Sequence, residues 1–313
     1  MRVPLPAAMI TMSSAMSSVF RTFGFRSLII AVALAMLSGC SALRIGYATA
    51  PDLVYWWLDR YIDFNGNQTP RARAAIADWF AWNRRTQVPD YAVQLARAQI
   101  EVLSDTTPAR VCEWQAEVVK RAHAAFDRIA PAAAELMLTV TPEQIAYLDK
   151  RYAKFNDEFR DDYLQPEPRK RAEQNLKRTV DRAEMLYGRL DDAQRARLAE
   201  GLARSPFDPE GWLVERRARQ LEVLQILRKL TGEPAATREQ ALAALRGYVE
   251  RLERSPREGY RRYAERLQEF NCALGATLHN ATTPAQRRYA AQKLAGWEGD
   301  LRAIAAAPVA DPN

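Results

Sequence analysis

Apolar side chains recur in this chain at spacings of three and four residues and almost nowhere in strict alternation, a pattern that only helices can bury. Three stripes show it best: Ile145, Leu148, Tyr152, Phe155 and Phe159; Tyr260, Tyr263, Leu267, Phe270 and Leu274; Ala290, Leu294, Trp297, Leu301 and Ile304. Each set falls on one helix face. No run of β-branched residues alternates as a strand would, and 13 glycines are few for 313 residues rich in turns. The expected fold is all-α, a multi-helix bundle of roughly ten helices in one body.

Proline suits the first turn of a helix and breaks an interior, so it marks helix starts. Pro51, Pro70, Pro89, Pro108, Pro142, Pro206 or Pro209, Pro256 and Pro284 each precede an apolar-periodic segment. The best linkers, Gln165-Pro166-Glu167-Pro168 and Thr231-Gly232-Glu233-Pro234, are too short to argue for two independent domains. A second start signal recurs as Val140-Thr141-Pro142-Glu143-Gln144, Leu190-Asp191-Asp192-Ala193-Gln194 and Thr282-Thr283-Pro284-Ala285-Gln286, with Phe64 to Gln68 as a degenerate fourth copy. It reads as a capping box, in which Thr or Asp accepts from an orphan backbone N–H and Gln three residues later reaches back. Successive glutamines lie 76, 50 and 92 residues apart, without the fixed period of a solenoid.

The N-terminus carries a different message. Arg21 and Arg26 precede an uncharged run from Leu28 to Leu37, which ends in Leu37-Ser38-Gly39-Cys40. That is the order of a secretory signal. The run is half the ~20 apolar residues a membrane span needs, which leaves an uncleaved anchor as the lesser alternative. Leu37 to Cys40 resemble the lipobox of bacterial lipoproteins, in which an apolar residue and two small ones direct lipid to an invariant cysteine. The resemblance implies cleavage before Cys40 and acylation of Cys40, several chains making a stable anchor where one does not. Ser41 in place of Asp implies, by the same resemblance, the periplasmic face of the outer membrane, with the inner membrane as the alternative. The expected division is residues 1–39 signal peptide, 40–50 lipidated leader, 51–305 helical domain and 306–313 disordered tail.

Composition narrows the function. Hydrophobic residues at 48% and charged ones at 27% are ordinary globular values. Removing residues 1–39 takes Arg2, Arg21 and Arg26 and no acid, so the formal charge falls by three, from +7 to +4. That excess is too modest for a nucleic-acid partner. With Cys40 on lipid, Cys112 and Cys272 remain as an even pair in an oxidising compartment; a disulfide between them is expected, and two buried free thiols are the alternative. His123 and His279 are the only histidines, and neither His-Glu-x-x-His nor Cys-x-x-Cys occurs, so zinc and thiol-redox readings lack their ligands. Asp63-Phe64-Asn65-Gly66-Asn67 begins like a calcium loop, but its glycine is misplaced and Ala74 stands where a bidentate Glu is required. The pairs Asp161-Asp162 and Asp191-Asp192, and Glu143 near Asp149, read as caps or solvated faces. No catalytic or metal-binding constellation emerges, and neither enzyme activity nor a cofactor is expected.

Aromatic residues crowd the first two helical segments: Tyr55, Trp56, Trp57 and Tyr61, then Trp79, Phe80 and Trp82. Helix neighbours diverge by about 100°, so Trp56 and Trp57 cannot face one way. Both wedged between helices is the ordinary outcome, and one at a membrane interface is the alternative. Arg216, Arg217 and Arg219 form a basic run whose default is a solvated face and whose other reading is contact with anionic lipid or a peptide.

The repeated cap resembles the L-T-x-x-Q motif of small periplasmic stress chaperones of the Spy and CpxP type. A longer likeness runs through Asp59-Arg60-Tyr61-Ile62-Asp63-Phe64 and Gln68, Trp82-Asn83-Arg84-Arg85 and Val88-Pro89-Asp90-Tyr91-Ala92. With the lipobox, these segments resemble an uncharacterised family of proteobacterial lipoproteins, named only as a domain of unknown function. That family's D-x-Y-x-D-L-T-P-E-Q and W-H-R-R are broken here at Asn65-Gly66-Asn67 and at Asn83. The resemblance implies an address and a helical body but no activity. The expected role is non-catalytic binding or chaperone-like work in the cell envelope. Its partners would be the membrane, through lipid on Cys40, and envelope proteins or unfolded polypeptides. An envelope glycan- or lipid-modifying hydrolase is the alternative.

Overall fold

A computed structural model describes residues 42–307, Glu233 and Ala235 excepted. Ten helices and no strand occur among the described residues. In chain order they are α1 Ala42–Ile62, α2 Gln68–Glu101, α3 Pro108–Met137, α4 Pro142–Tyr163, α5 Pro168–Tyr187, α6 Asp192–Ala203, α7 Pro209–Leu230, α8 Arg238–Glu253, α9 Glu258–Asn280 and α10 Pro284–Ala306. The longest, α2, runs beside α10 and also packs on α1 and α3; α3 in turn carries α8 and α9. Helix α4 sits between α1 and α7, while α5 and α6 form a hairpin that reaches α10 and α9.

The starts follow local chemistry. Pro108, Pro142, Pro168, Pro209 and Pro284 occupy the first turns of their helices. Thr107, Thr141, Asp191, Asp208, Thr237 and Thr283 each accept a hydrogen bond from a first-turn N–H, satisfying donors a helix otherwise leaves open. Prolines mislead at Pro51 and Pro89, which lie inside α1 and α2, and Pro131 lies inside α3 as well. An interior proline forfeits one backbone bond and costs about 3 kcal/mol or more. At Pro89 the flanking Val88 and Ala92 are each 1% exposed, so burial on both sides holds the helix through the break.

Helix α1 therefore runs through Pro51, and residues 42–50, expected to belong to a leader, lie within it. The stripe of α4 is buried as its spacing implies, with Ile145, Leu148, Phe155 and Phe159 in the core and Tyr152 half-buried. On α9 the innermost line is instead Gln268, Cys272, Ala276 and His279, and the aromatic stripe flanks it. Cys272 is joined by a disulfide to Cys112 of α3. Glu215 on α7, only 2% exposed, is gripped by Arg257 and by Arg219, whose Nε donates to Oε1 at 2.9 Å. Burial pushes the Glu215 carboxyl up, and the Arg257 hydrogen bond, the Arg219 charge and Ser255 outweigh it and hold the group below its usual range.

Candidate functional site

Four capping glutamines meet in two pairs. Asn65 caps α2 from two residues outside it, its Oδ1 accepting from Asn67 and Gln68 N–H at 3.0 and 3.1 Å while Gln68 Oε1 accepts from Asn65 N–H at 3.0 Å. Thr141 and Gln144 do the same at α4. The two amides then face each other: Gln68 Nε2 donates to Gln144 Oε1 at 3.0 Å, and Gln144 Nε2 donates to Gln68 Oε1 at 2.7 Å. Each Nε2 also donates to the carbonyl five positions before its partner, Thr139 O at 2.8 Å and Asp63 O at 2.7 Å. Gln194 and Gln286 repeat every element of this clasp at α6 and α10: reciprocal bonds of 2.7 and 2.9 Å, and donation to Ala281 O and Arg189 O at 2.9 Å each. An amide has two lone pairs and two N–H donors. All four are engaged in each glutamine, which makes the motif an architectural clasp with nothing left over for a ligand.

Beside the first clasp lies a surface of rings and guanidinium groups. Tyr61, at the end of α1, stacks on Phe155 of α4 with centroids 4.7 Å apart, and is tilted against Trp57 at 5.0 Å and Tyr152 at 6.4 Å. One turn along α4, Phe159 stacks on Trp212 of α7 at 4.5 Å and on Tyr163 at 4.7 Å. Arg151 lies over Phe155 at 4.9 Å, Arg178 over Tyr163 at 4.3 Å, and Arg216 over Trp212 at 5.4 Å and Phe159 at 5.9 Å. Arg151, Phe155 and Phe159 are spaced to share one face of α4, as Trp212 and Arg216 share one of α7. Burial raises the Tyr61 hydroxyl above its ordinary range despite the charges of Arg216 and Arg151. Tyr152 is raised chiefly by burial too, so both phenols remain neutral hydrogen-bond donors. Burial also pulls the Arg216 guanidinium below its usual value.

The other residues marked in the sequence are placed as follows. Cys40 lies outside the described residues, as do residues 1–39 and 308–313. His279 is buried, with Nδ1 2.8 Å from the Tyr187 hydroxyl and Nε2 2.7 Å from Ser104 O. The carbonyl can only accept, so Nε2 carries the proton and Nδ1 accepts from Tyr187. His123 Nε2 lies 2.8 Å from Glu253 Oε1. Asp191 is a cap, and Asp63, at φ 56°, lends its carbonyl to Gln144. Asn83 is buried between the Tyr47 and Tyr91 hydroxyls, at 3.0 and 3.5 Å. No group of three or more His, Cys, Asp or Glu that could hold a metal occurs among the described residues. The adjacent tryptophans depart from the ordinary expectation: Trp56 is 64% and Trp57 39% exposed. Sequence reasoning missed the capping box of Thr237 and Gln240 and the role of Arg151, although the spacing of Arg151, Phe155 and Phe159 was there to be read.

A family model described as a family of unknown function, DUF6279, matches residues 60–270. The chain belongs to that family. No curated protein and no solved structure matches it. The stretch shared with DUF6279 takes in the whole first clasp and all of the ring-and-guanidinium cluster but Trp57, and only Gln194 of the second clasp, since Gln286 lies beyond it.

Proposed function

We propose that this DUF6279 protein is a lipoprotein held through Cys40 on the periplasmic face of the outer membrane, where it works by binding rather than by catalysis. The observation that carries the reading is the exposed face of α1. Ile45, Leu53, Trp56 and Trp57 are 47, 42, 64 and 39% exposed, and at 100° per residue Ile45, Leu53 and Trp56 fall on one side of a helix already formed at Ala42, with Trp57 at the edge of that side. Tryptophan beside aliphatic residues suits the boundary between headgroups and acyl chains. No described helix is long and apolar enough to cross a membrane, so the face can lie along a bilayer without spanning it. Support for binding over catalysis comes from where the reactive groups go: both histidines and the buried Glu215 are tied into hydrogen bonds or ion pairs that hold helices together.

The test is fractionation of cells carrying wild type or Cys40→Ser. Wild type is expected in outer-membrane fractions and the variant in the soluble periplasm with an unchanged helical circular dichroism spectrum; equal membrane association of the two would end the proposal. Cross-linking in intact cells then tests the binding role, with recovery of a discrete envelope partner as the expected result and turnover of an envelope glycan or lipid by the purified protein as the contrary one.

A further inference from the structure

We propose that Arg151 and Arg216 form a site for a phosphate-class oxyanion carried on an apolar body. The inference rests on the binding reading above but not on the lipid anchor. Buried cations in proteins are ordinarily matched by a carboxylate, because an unpaired charge away from water is costly. Two other half-buried arginines keep the rule: Arg219 meets Glu215, and Arg110 meets Glu101. Arg151 and Arg216 break it. The Arg151 Nε and Nη2 atoms are buried without a hydrogen-bond partner. Arg216 is half-buried, makes no hydrogen bond or ion pair to any described residue, and lies over the rings of Trp212 and Phe159. Glu158 of α4 is the carboxylate whose charge reaches Arg216, and it stands beyond ion-pair distance.

The rings explain how such groups are held. A guanidinium over an aromatic face is held by cation–π attraction without its N–H donors being used up. Phe155 does this for Arg151, and Trp212 with Phe159 does it for Arg216. Tyr61 links the two, stacked on Phe155 and within the field of both charges. Its hydroxyl and that of Tyr152 add neutral donors. A phosphate offers three oxygens and can accept from two guanidinium forks at once. Trp57, 39% exposed, gives an attached alkyl or acyl group a surface to lie on.

The experiment uses the full mature chain in maltoside detergent, titrated calorimetrically with dodecyl phosphate, with inorganic phosphate and with dodecyltrimethylammonium as a cationic control. Saturable binding of dodecyl phosphate near one per chain is expected, weakened about tenfold or more by Arg151→Gln and by Arg216→Gln. Inorganic phosphate competing with dodecyl phosphate at similar affinity would assign the site to a free anion, and much weaker competition to a lipid headgroup; both outcomes support an oxyanion site. Unfolding temperatures separate ligand groups from structural ones. Removing an unmatched buried charge should leave stability unchanged or raise it, while a structural arginine would lower it. No saturable binding of either phosphate, binding unchanged in the double variant, or equal binding of the cation overturns the proposal. None of these outcomes bears on fractionation of Cys40→Ser, so the two readings fail separately.

Discussion

The two glutamine clasps are chemically the same and physically different. Both join the starts of two helices far apart in sequence, by 76 residues in one case and 92 in the other, and both use every donor and acceptor of two amides. The first lies in the interior, with Gln68 at 2% and Gln144 at 7% exposure, whereas in the second Gln194 is buried and Gln286 is half-exposed. A hydrogen bond contributes only about 1 kcal/mol net, but a buried group left without a partner costs its full desolvation. What should differ between the clasps is the cost of breaking them. The box of Thr237 and Gln240 completes the series, since its glutamine is exposed and reaches across to no other helix.

The largest effect is expected from the link between the two halves. The disulfide ties α3, which leads into the first clasp, to α9, which leads into the second. Replacing Cys112 and Cys272 by Ser should lower unfolding free energy by about 5 kcal/mol, the chain-entropy value for so long a loop. Denaturant unfolding measures it, and a second transition on loss of the bridge would show that the clasps belong to separable folding units. Next comes Gln144→Ala, expected to cost about 3 kcal/mol because Gln68, Asp63 O and Thr141 N–H all lose a buried partner. Gln286→Ala should cost about half as much, water replacing part of what is lost. If the two variants unfold at the same denaturant concentration, burial is not what separates the clasps. Double-mutant cycles should return a larger coupling for Gln68 with Gln144 than for Gln194 with Gln286. Gln240→Ala should cost no more than about 1 kcal/mol, the worth of an ordinary cap.

Acid sharpens the contrast from the other side, because amides do not titrate and carboxylates do. Hydrogen bonds from Arg110 first, with Trp114 and Arg97, hold Glu101 at about 2 against 4.5 for the free group. Stability from this pairing is present above the unfolded value and declines as the pH falls from 4.5 toward about 2. Glu215 is lowered as well and changes with the same sign. Hydrogen exchange should then show the Glu101 and Glu215 contacts loosening while amide protons at both clasps stay protected; early exchange at the clasps would contradict the assignment.

Helix starts were legible because their chemistry is local: Thr141, Asp191 and Thr283 carry the signal within three residues of themselves, and Pro108, Pro142 and Pro284 reinforce it. Pro89 was not, since the burial of Val88 and Ala92 that carries α2 through it is a tertiary fact. Gln68 and Gln144 could each be read as a cap, but no local pattern says that the far end of one amide meets the other. The same limit hid the candidate site. Arg216, beside Arg217 in a basic run, looks solvated from its neighbours alone; only the packing of α7 on α4 sends Arg216 onto Phe159 and Trp212 while Arg217 stays exposed.

Under the anchor proposed at Cys40, the helical run of α1 from Ala42 would set the freedom of the whole body. A flexible leader of ten residues would give a tethered domain a root-mean-square reach of roughly 17 Å and freedom to tumble about its lipid. With that proposed anchor, a helix already formed at Ala42 would leave less swivel, and α1 would transmit the tilt of the bilayer surface to α2, α4 and α10 packed against it. A molecule so anchored would behave less like a float on a line than like a peg set in a board. It would sample few orientations and present the same side to every arriving molecule, and what it met would be decided by lateral diffusion in the membrane plane instead of by reach.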